Sequence, residues 1–263
     1  MKIVVTVKQV PDTNAEKTFD PVTKRLNRSS IENVLNPFDE YAIEEALRIK
    51  EAQGADTTVT ILTMAPASAT DVVRKALGMG ADNAVLLSDD AIPGSDTMAT
   101  AYALAQALKH VGFDLILSGT QSTDAICSVV PAAIAEHLNI PCVTYVKRLT
   151  VENNAIDAQR ETESGFVRVR APLPALVSVT KAINEPRYPT LKGIMGAKKK
   201  EIRTPSIADI GADPARLGEA GSKTVVESFA PVGARQKGQV VSVSDAKEGA
   251  KQILDFLIAK KVV

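Results

Sequence analysis

Through its first half the sequence alternates short aliphatic runs, almost without polar interruption, with longer segments of helical period. The runs at 3–7, 57–64, 83–87 and 114–118 are β-branched or aliphatic with little alternation, as strands are when both faces are buried in a parallel sheet. Helical period is predicted at 36–54, 69–79, 95–111 and 124–138. The first is the clearest: Asn36 can cap, Pro37 suits the first helical position, Asp39 and Glu40 place negative charge in the first turn, Ala42, Ile43, Ala46, Leu47 and Ile49 form an apolar stripe, and Gly54 supplies the stop. Strand, helix, strand repeated in this way predicts right-handed crossovers and an α/β fold with a doubly wound, mostly parallel sheet.

Beyond Pro141 the texture changes. Runs at 143–150, 155–161, 166–170 and 175–179 are strand-like with polar turns between them, which predicts an antiparallel extension of the same sheet. Residues 212–243, rich in Gly, Ala, Ser and Pro, read as a linker or arm, and 245–261 regain helical period with Ala246, Ala250, Ile253, Leu254, Leu257 and Ile258 on one face. The expected division is therefore an α/β domain over 1–211 and a C-terminal arm and helix over 212–263. An apolar helix at the end of an arm needs a partner surface.

Lys and Arg total 31 and Asp and Glu total 31, so no overall field favours nucleic acid or anionic lipid. Cys127 and Cys142 are too few for a disulfide framework, and with His110 and His137 they make no metal-ligand spacing, so no metal is expected. No apolar run approaches the roughly 20 residues of a membrane helix, and the start reads as a strand rather than a signal segment; the expected location is cytoplasmic.

In an open parallel sheet, ligands bind beyond the carboxyl ends of the strands. Four stretches converge there: 5–9, 36–39, 63–66 and 118–131. In the last, Leu117-Ser118-Gly119-Thr120-Gln121-Ser122-Thr123-Asp124 leaves a buried strand through a small, hydroxyl-rich loop into a predicted helix, whose free N–H groups form an anion site. There is neither a Gly-x-Gly-x-x-Gly nor a Walker lysine, and a plain capped turn explains the same residues. Both histidines fall near helix ends, where imidazoles cap or face solvent, and Cys127 falls in the predicted first helical turn, where a small packing residue is the simpler reading. No catalytic constellation is present.

A second cluster runs from Lys181 to Lys200. Two prolines, Tyr188, Leu191, Ile194 and Met195 make a stiff apolar loop bordered by lysines, which describes a docking surface better than a solvated charge run.

Four stretches carry a resemblance to the beta subunit of electron-transferring flavoproteins: Val7-Lys8-Gln9-Val10-Pro11-Asp12; Asn36-Pro37-Phe38-Asp39 followed by Ala42-Ile43-Glu44-Glu45-Ala46; Ala76-Leu77-Gly78-Met79-Gly80-Ala81-Asp82; and Asn184-Glu185-Pro186-Arg187-Tyr188 leading into Ile194-Met195 and Ala197-Lys198-Lys199-Lys200. The resemblance implies an electron carrier, not an enzyme, in which an alpha subunit holds most of the FAD and this chain completes the FAD site and binds AMP structurally. It implies AMP contacts from Thr6, Asn36, Pro37, Phe38, Asp39, Met64, Gly119, Thr120, Gln121, Ser122, Thr123, Asp124, Cys127, Ser128, Val129 and Val130. It also implies that Leu191, with Glu185, Arg187, Tyr188, Ile194 and Met195, docks on acyl-CoA or related flavin dehydrogenases of fatty acid oxidation, and that the C-terminal arm packs on the alpha subunit.

The chain departs from the family in the loop. Members holding AMP often show Asp-Asp-Asp-Cys-Asn-Gln-Thr, and electron-bifurcating relatives with a second FAD show Asp-Gly-Asp-Thr-Ala-Gln-Val-Gly. Here the loop reads Asp124-Ala125-Ile126-Cys127-Ser128-Val129-Val130-Pro131, leaving Ser128 and backbone N–H groups for phosphate. The alternatives are a bifurcating subunit with its own FAD and, from another class, a nucleotide-hydrolysing or adenylating enzyme on the same sheet.

Overall fold

The computed structural model describes residues 1–28, 30–230, 233, 238 and 240–263. In chain order the elements are β1 (Lys2–Val7), β2 (Gln9–Pro11), β3 (Asn33–Leu35), α1 (Pro37–Gln53), β4 (Thr58–Met64), α2 (Thr70–Met79), β5 (Asn83–Leu87), α3 (Thr97–Val111), β6 (Leu115–Gly119), α4 (Val130–Leu138), β7 (Cys142–Glu152), β8 (Ala155–Thr162), β9 (Gly165–Pro172), β10 (Ala175–Val179), α5 (Leu191–Ala197), β11 (Ile202–Arg203), α6 (Gly218–Gly221) and α7 (Ala246–Ala259).

One sheet of nine strands has the order β11-β5-β4-β1-β6-β10-β7-β8-β9. The pairs from β11 to β7 are parallel, and β7-β8-β9 continue as an antiparallel meander. This is the doubly wound, mostly parallel α/β fold with an antiparallel extension that the alternation predicts. One expected strand sits elsewhere: 175–179 is not part of the antiparallel extension but lies between β6 and β7, parallel to both. Its five residues Ala-Leu-Val-Ser-Val are all buried, the burial of a central strand covered on both faces.

Alternate residues of the central strands feed two cores. Ile3, Val5, Leu115, Leu117 and Val177 pack with α1 and α2 on one face; Val4, Leu62, Ile116 and Leu176 pack with α3 and α4 on the other. The compact unit spans Met1–Val226, and Ile210, Ala212 and Leu217 are buried in its second core. A separate unit, Glu227–Val263, contains α7, capped by the Asp245 carboxylate; Ile253, Leu254, Phe256 and Ile258 are exposed on it. The expected arm at 212–243 includes 231, 232, 234–237 and 239, which lie outside the described residues. Among the described residues, no helix is long and apolar enough to cross a membrane.

Candidate nucleotide site and docking surface

β1 and β6 are neighbours, yet the helix that follows β1 packs on one face of the sheet and the helix that follows β6 on the other. The chain thus parts to opposite sides at their carboxyl ends, opening the crevice in which such sheets bind ligands. Thr6, Asn36, Phe38, Asp39 and the loop beyond Gly119 are gathered there, and Met64, at the end of β4, packs against the second core.

Gly119 allows the closest approach in the crevice. A Cβ at this position would stand 2.5 Å from Asp39 Oδ1 and 2.7 Å from the Phe38 carbonyl, so only glycine lets β6 meet the first turn of α1. Asp39, 5% exposed, accepts the Lys8 N–H at 2.8 Å and bonds from Asn36 and the Gly119 N–H. Burial outweighs those bonds and pushes its pKa up to about 7. Asn36 does not cap α1 with its side chain. Its amide donates to the Gln121 carbonyl at 2.9 Å and its Oδ1 accepts from the Thr123 N–H at 3.3 Å, so it moors the loop to the helix start.

Loop residue Asp124 has a fully buried side chain held by two cations: Lys8 Nζ at 2.7 and 3.0 Å and Arg28 Nη2 at 2.6 Å. Burial alone would raise its pKa, but Lys8, Arg28 and Ser122 together bring it down to about 2. Lys8 also donates to Ser122 Oγ at 3.2 Å, and the Lys8 and Arg28 side chains remain 40% and 45% exposed.

The expected helix at 124–138 begins only at Val130. Ile126 and Ser128 have φ of 52° and 53°, a left-handed backbone that a right-handed helix cannot contain, and Pro131 suits the first turn of the helix that follows. Cys127 therefore lies in the loop, exposed, with Sγ 3.8 Å from Thr97 Oγ1. Ser128 Oγ donates to Gln121 Oε1 at 3.0 Å; Thr120 is buried, while Val129 and Pro37 are exposed and Val130 half-buried. Thr6, Ser118 and Ser178 stand in register across β1, β6 and β10. Ser178 Oγ accepts from the Tyr145 N–H, whereas Ser118 Oγ, Thr63 Oγ1 and Thr123 Oγ1 are buried with no partner among the described residues. A buried hydroxyl left unpaired costs about 1–3 kcal/mol, so these groups fit a site where a polar ligand supplies the missing bonds.

The docking cluster is not wholly a loop. Leu191–Ala197 forms α5, with Thr190 Oγ1 capping the Gly193 N–H. Tyr188 is 93% and Leu191 78% exposed; Ile194, Met195 and Glu185 are exposed as well. Arg187 instead turns inward to the acids of α1, with Nε 2.7 Å from Glu44 and Nη1 2.5 Å from Glu51. Arg74 of α2 donates to the Ala197 and Lys200 carbonyls. A cleft of about 490 Å3 opens between α2 and α5, lined in part by Arg74, Gly78, Pro189, Ile194 and Lys198. The histidines stay clear of both sites, and burial lowers the pKa of His137, whose ring meets Tyr102 edge-on. Among the described residues, no acidic, His or Cys cluster suits a metal ion.

Arg28, Glu51 and Arg74 were not foreseen as site residues, and Lys8 and Glu44 stood only within longer stretches, without a role of their own. Lys8 carries a signal, being a cation placed directly after an unbroken buried strand; the others meet their partners only through the fold.

With this geometry in hand, comparison with known proteins is specific. A family model described as the electron transfer flavoprotein domain matches residues 23–210. Electron transfer flavoprotein subunit beta of Mycobacterium tuberculosis (strain ATCC 25618 / H37Rv) is 43% identical over 265 residues, covering 99% of each chain. The subunit beta of Megasphaera elsdenii is 43% identical over 272 residues and all of each chain, and the Caffeyl-CoA reductase-Etf complex subunit CarD of Acetobacterium woodii 38% over 265 residues, again covering both chains fully. A mostly parallel sheet with its crevice between β1 and β6, matched along its length by these sequences, makes the chain a member of the electron transfer flavoprotein family, as a beta subunit.

Proposed function

We propose that the chain is one half of a heterodimeric carrier that takes electrons from acyl-CoA and related dehydrogenases and passes them to the respiratory chain, in the cytoplasm. The observation that carries this is α5: an apolar knob of Leu191, Ile194 and Met195 presented to solvent among Lys192, Lys198 and Lys199 and seated on α2. A small anchor of this kind suits an encounter that must release quickly. The exposed apolar residues of α7 are the surface we assign to the alpha subunit; of the arm expected at 212–263, residues 212–226 belong to the compact unit, which leaves the unit Glu227–Val263 for that packing. FAD, held mostly by that subunit, supplies the electron-accepting and electron-donating chemistry.

AMP is the ligand we assign to the crevice. The unpaired Ser118 and Thr123 hydroxyls, Ser128 and the partly exposed cations Lys8 and Arg28 are the groups we assign to ribose and phosphate, while Gly119 and Asp39 hold strand and helix together beneath it. The anchoring of the loop by Asn36 supports a structural role for the nucleotide, since it ties β1, α1 and β6 at one point.

The test is to co-express the chain with its alpha subunit, purify the complex and quantify released FAD and AMP. One of each is the expected result. Two FAD would assign the crevice to a second flavin. No complex, with ATP turnover lost on changing Ser118 or Asp124, would return the chain to the nucleotide-dependent enzymes.

A further inference from the structure

Leu191 is more than three-quarters exposed, so little around its own side chain fixes its direction. Its orientation is inherited from α5, and a seven-residue helix is too short to persist by itself. Something must hold it.

Two sets of bonds do so. On the α2 side, a Cβ at Gly193 would fall 2.4 Å from the Gly78 carbonyl, so α5 lies directly on α2, and the Arg74 guanidinium bonds the carbonyls that close it. On the α1 side, Asn184 Nδ2 donates to the Tyr41 carbonyl and to Glu45, both at 3.0 Å. Three residues later, Arg187 gives its backbone N–H, Nε and Nη2 to Glu44 at 3.1, 2.7 and 2.9 Å, and Nη1 and Nη2 to Glu51 at 2.5 and 3.2 Å. The Glu44 side chain is only 7% exposed, and the Glu44 and Glu51 bonds hold the Arg187 pKa above its usual value. A planar fork answered on two sides by carboxylates fixes a direction in a way that a single ammonium cannot.

We infer that Arg187 is a positioning residue for docking: it sets the angle at which α5 presents Leu191 and acts on the partner through that leucine. The inference rests on the docking role proposed for α5. It separates Arg187 from Tyr188, Leu191, Ile194 and Met195, whose exposed side chains are the contact surface.

The test uses the heterodimer with a purified acyl-CoA dehydrogenase as electron donor and compares R187A, R187K, L191A and R187A/L191A. A misdirected anchor forfeits preorganisation, so R187A is expected to raise KM for the heterodimer about tenfold while kcat changes less than twofold. R187K recovers only part of this, because it restores charge without the fork. The double variant should be no worse than L191A, since both changes act on one contact. An additive double variant would mean that Arg187 touches the partner itself and would overturn the inference, as would an unchanged KM in R187A. If the wild-type heterodimer accepts no electrons from the dehydrogenase, the proposed function fails, and tryptic cleavage after Lys192 decides the positioning role alone. Cleavage at least tenfold faster in R187A would sustain it, and equal rates would refute it.

Discussion

Replacing Gly119 by alanine adds one methyl group where β6 meets the first turn of α1. That methyl would sit 2.5 Å from a carboxylate oxygen of Asp39 and 2.7 Å from both atoms of the Phe38 carbonyl. Neither neighbour can yield cheaply: Asp39 is buried, and the helix start is moored through Asn36 to Lys8 and to the 120–129 loop. Overpacking of this kind costs about 1–3 kcal/mol. In a folded unit of 226 residues each kcal/mol is worth about 2–4 °C, so G119A should melt roughly 4–8 °C below wild type for a cost near 2 kcal/mol. G196A is the control, because among the described residues nothing lies within 4 Å of its added methyl, and alanine favours a helix. Calorimetry of the heterodimer, with the nucleotide content of each variant, measures both effects. The expected result is a lower melting temperature and less retained AMP for G119A, with neither change for G196A. A G119A protein that melts within about 1 °C of wild type and keeps its nucleotide would refute the proposed closure of strand on helix.

Asp39 makes a pH prediction. Its folded pKa, about 7, lies above the ordinary 3.8, so the folded state keeps the proton to higher pH; the stabilisation is full below about 4 and is lost as pH rises through 7. Urea denaturation at pH 5 and 8 should show wild type losing a few kcal/mol that D39N does not lose, and equal losses would contradict the assignment. Asp124 is the opposite case: its pKa of about 2 lies below the ordinary value, so its contribution is present above about 4 and lost as pH falls through 2. D124N should cost about 1–2 kcal/mol at pH 7, reduced by the exposure of Lys8 and Arg28, and almost nothing at pH 2 in the same denaturation assay. L191A should weaken electron transfer from the dehydrogenase by about 1–3 kcal/mol, read as a rise in KM, while gel filtration shows the heterodimer intact.

Much of this was legible in the sequence because it rests on local rules. The unbroken aliphatic strands located β1, β4, β5 and β6 to within a residue or so, and the capped, striped pattern located α1. The strand-end rule alone brought 5–9, 36–39 and 118–131 together. What escaped depended on contacts remote in sequence. The run 175–179 reads as a strand but nothing in it says that it returns between β6 and β7. Asn36 has every local mark of a cap, yet the loop 85 residues later outcompetes its own helix for the side chain. The late start of α4 turned on Ile126 and Ser128, which adopt left-handed backbone without being glycine. The pairing of Arg187 was hidden because the acids it bonds lie on α1, 143 and 136 residues earlier.

The central claim, that this beta subunit completes a carrier charged by a dehydrogenase, is tested most directly by watching electrons arrive. The purified heterodimer is mixed anaerobically with a catalytic amount of acyl-CoA dehydrogenase and excess acyl-CoA, and its flavin absorbance is followed. The account predicts reduction of the bound flavin at a rate that depends on the dehydrogenase and falls in L191A. A flavin that stays oxidised in the presence of active dehydrogenase, or is reduced equally fast with and without Leu191, would contradict it.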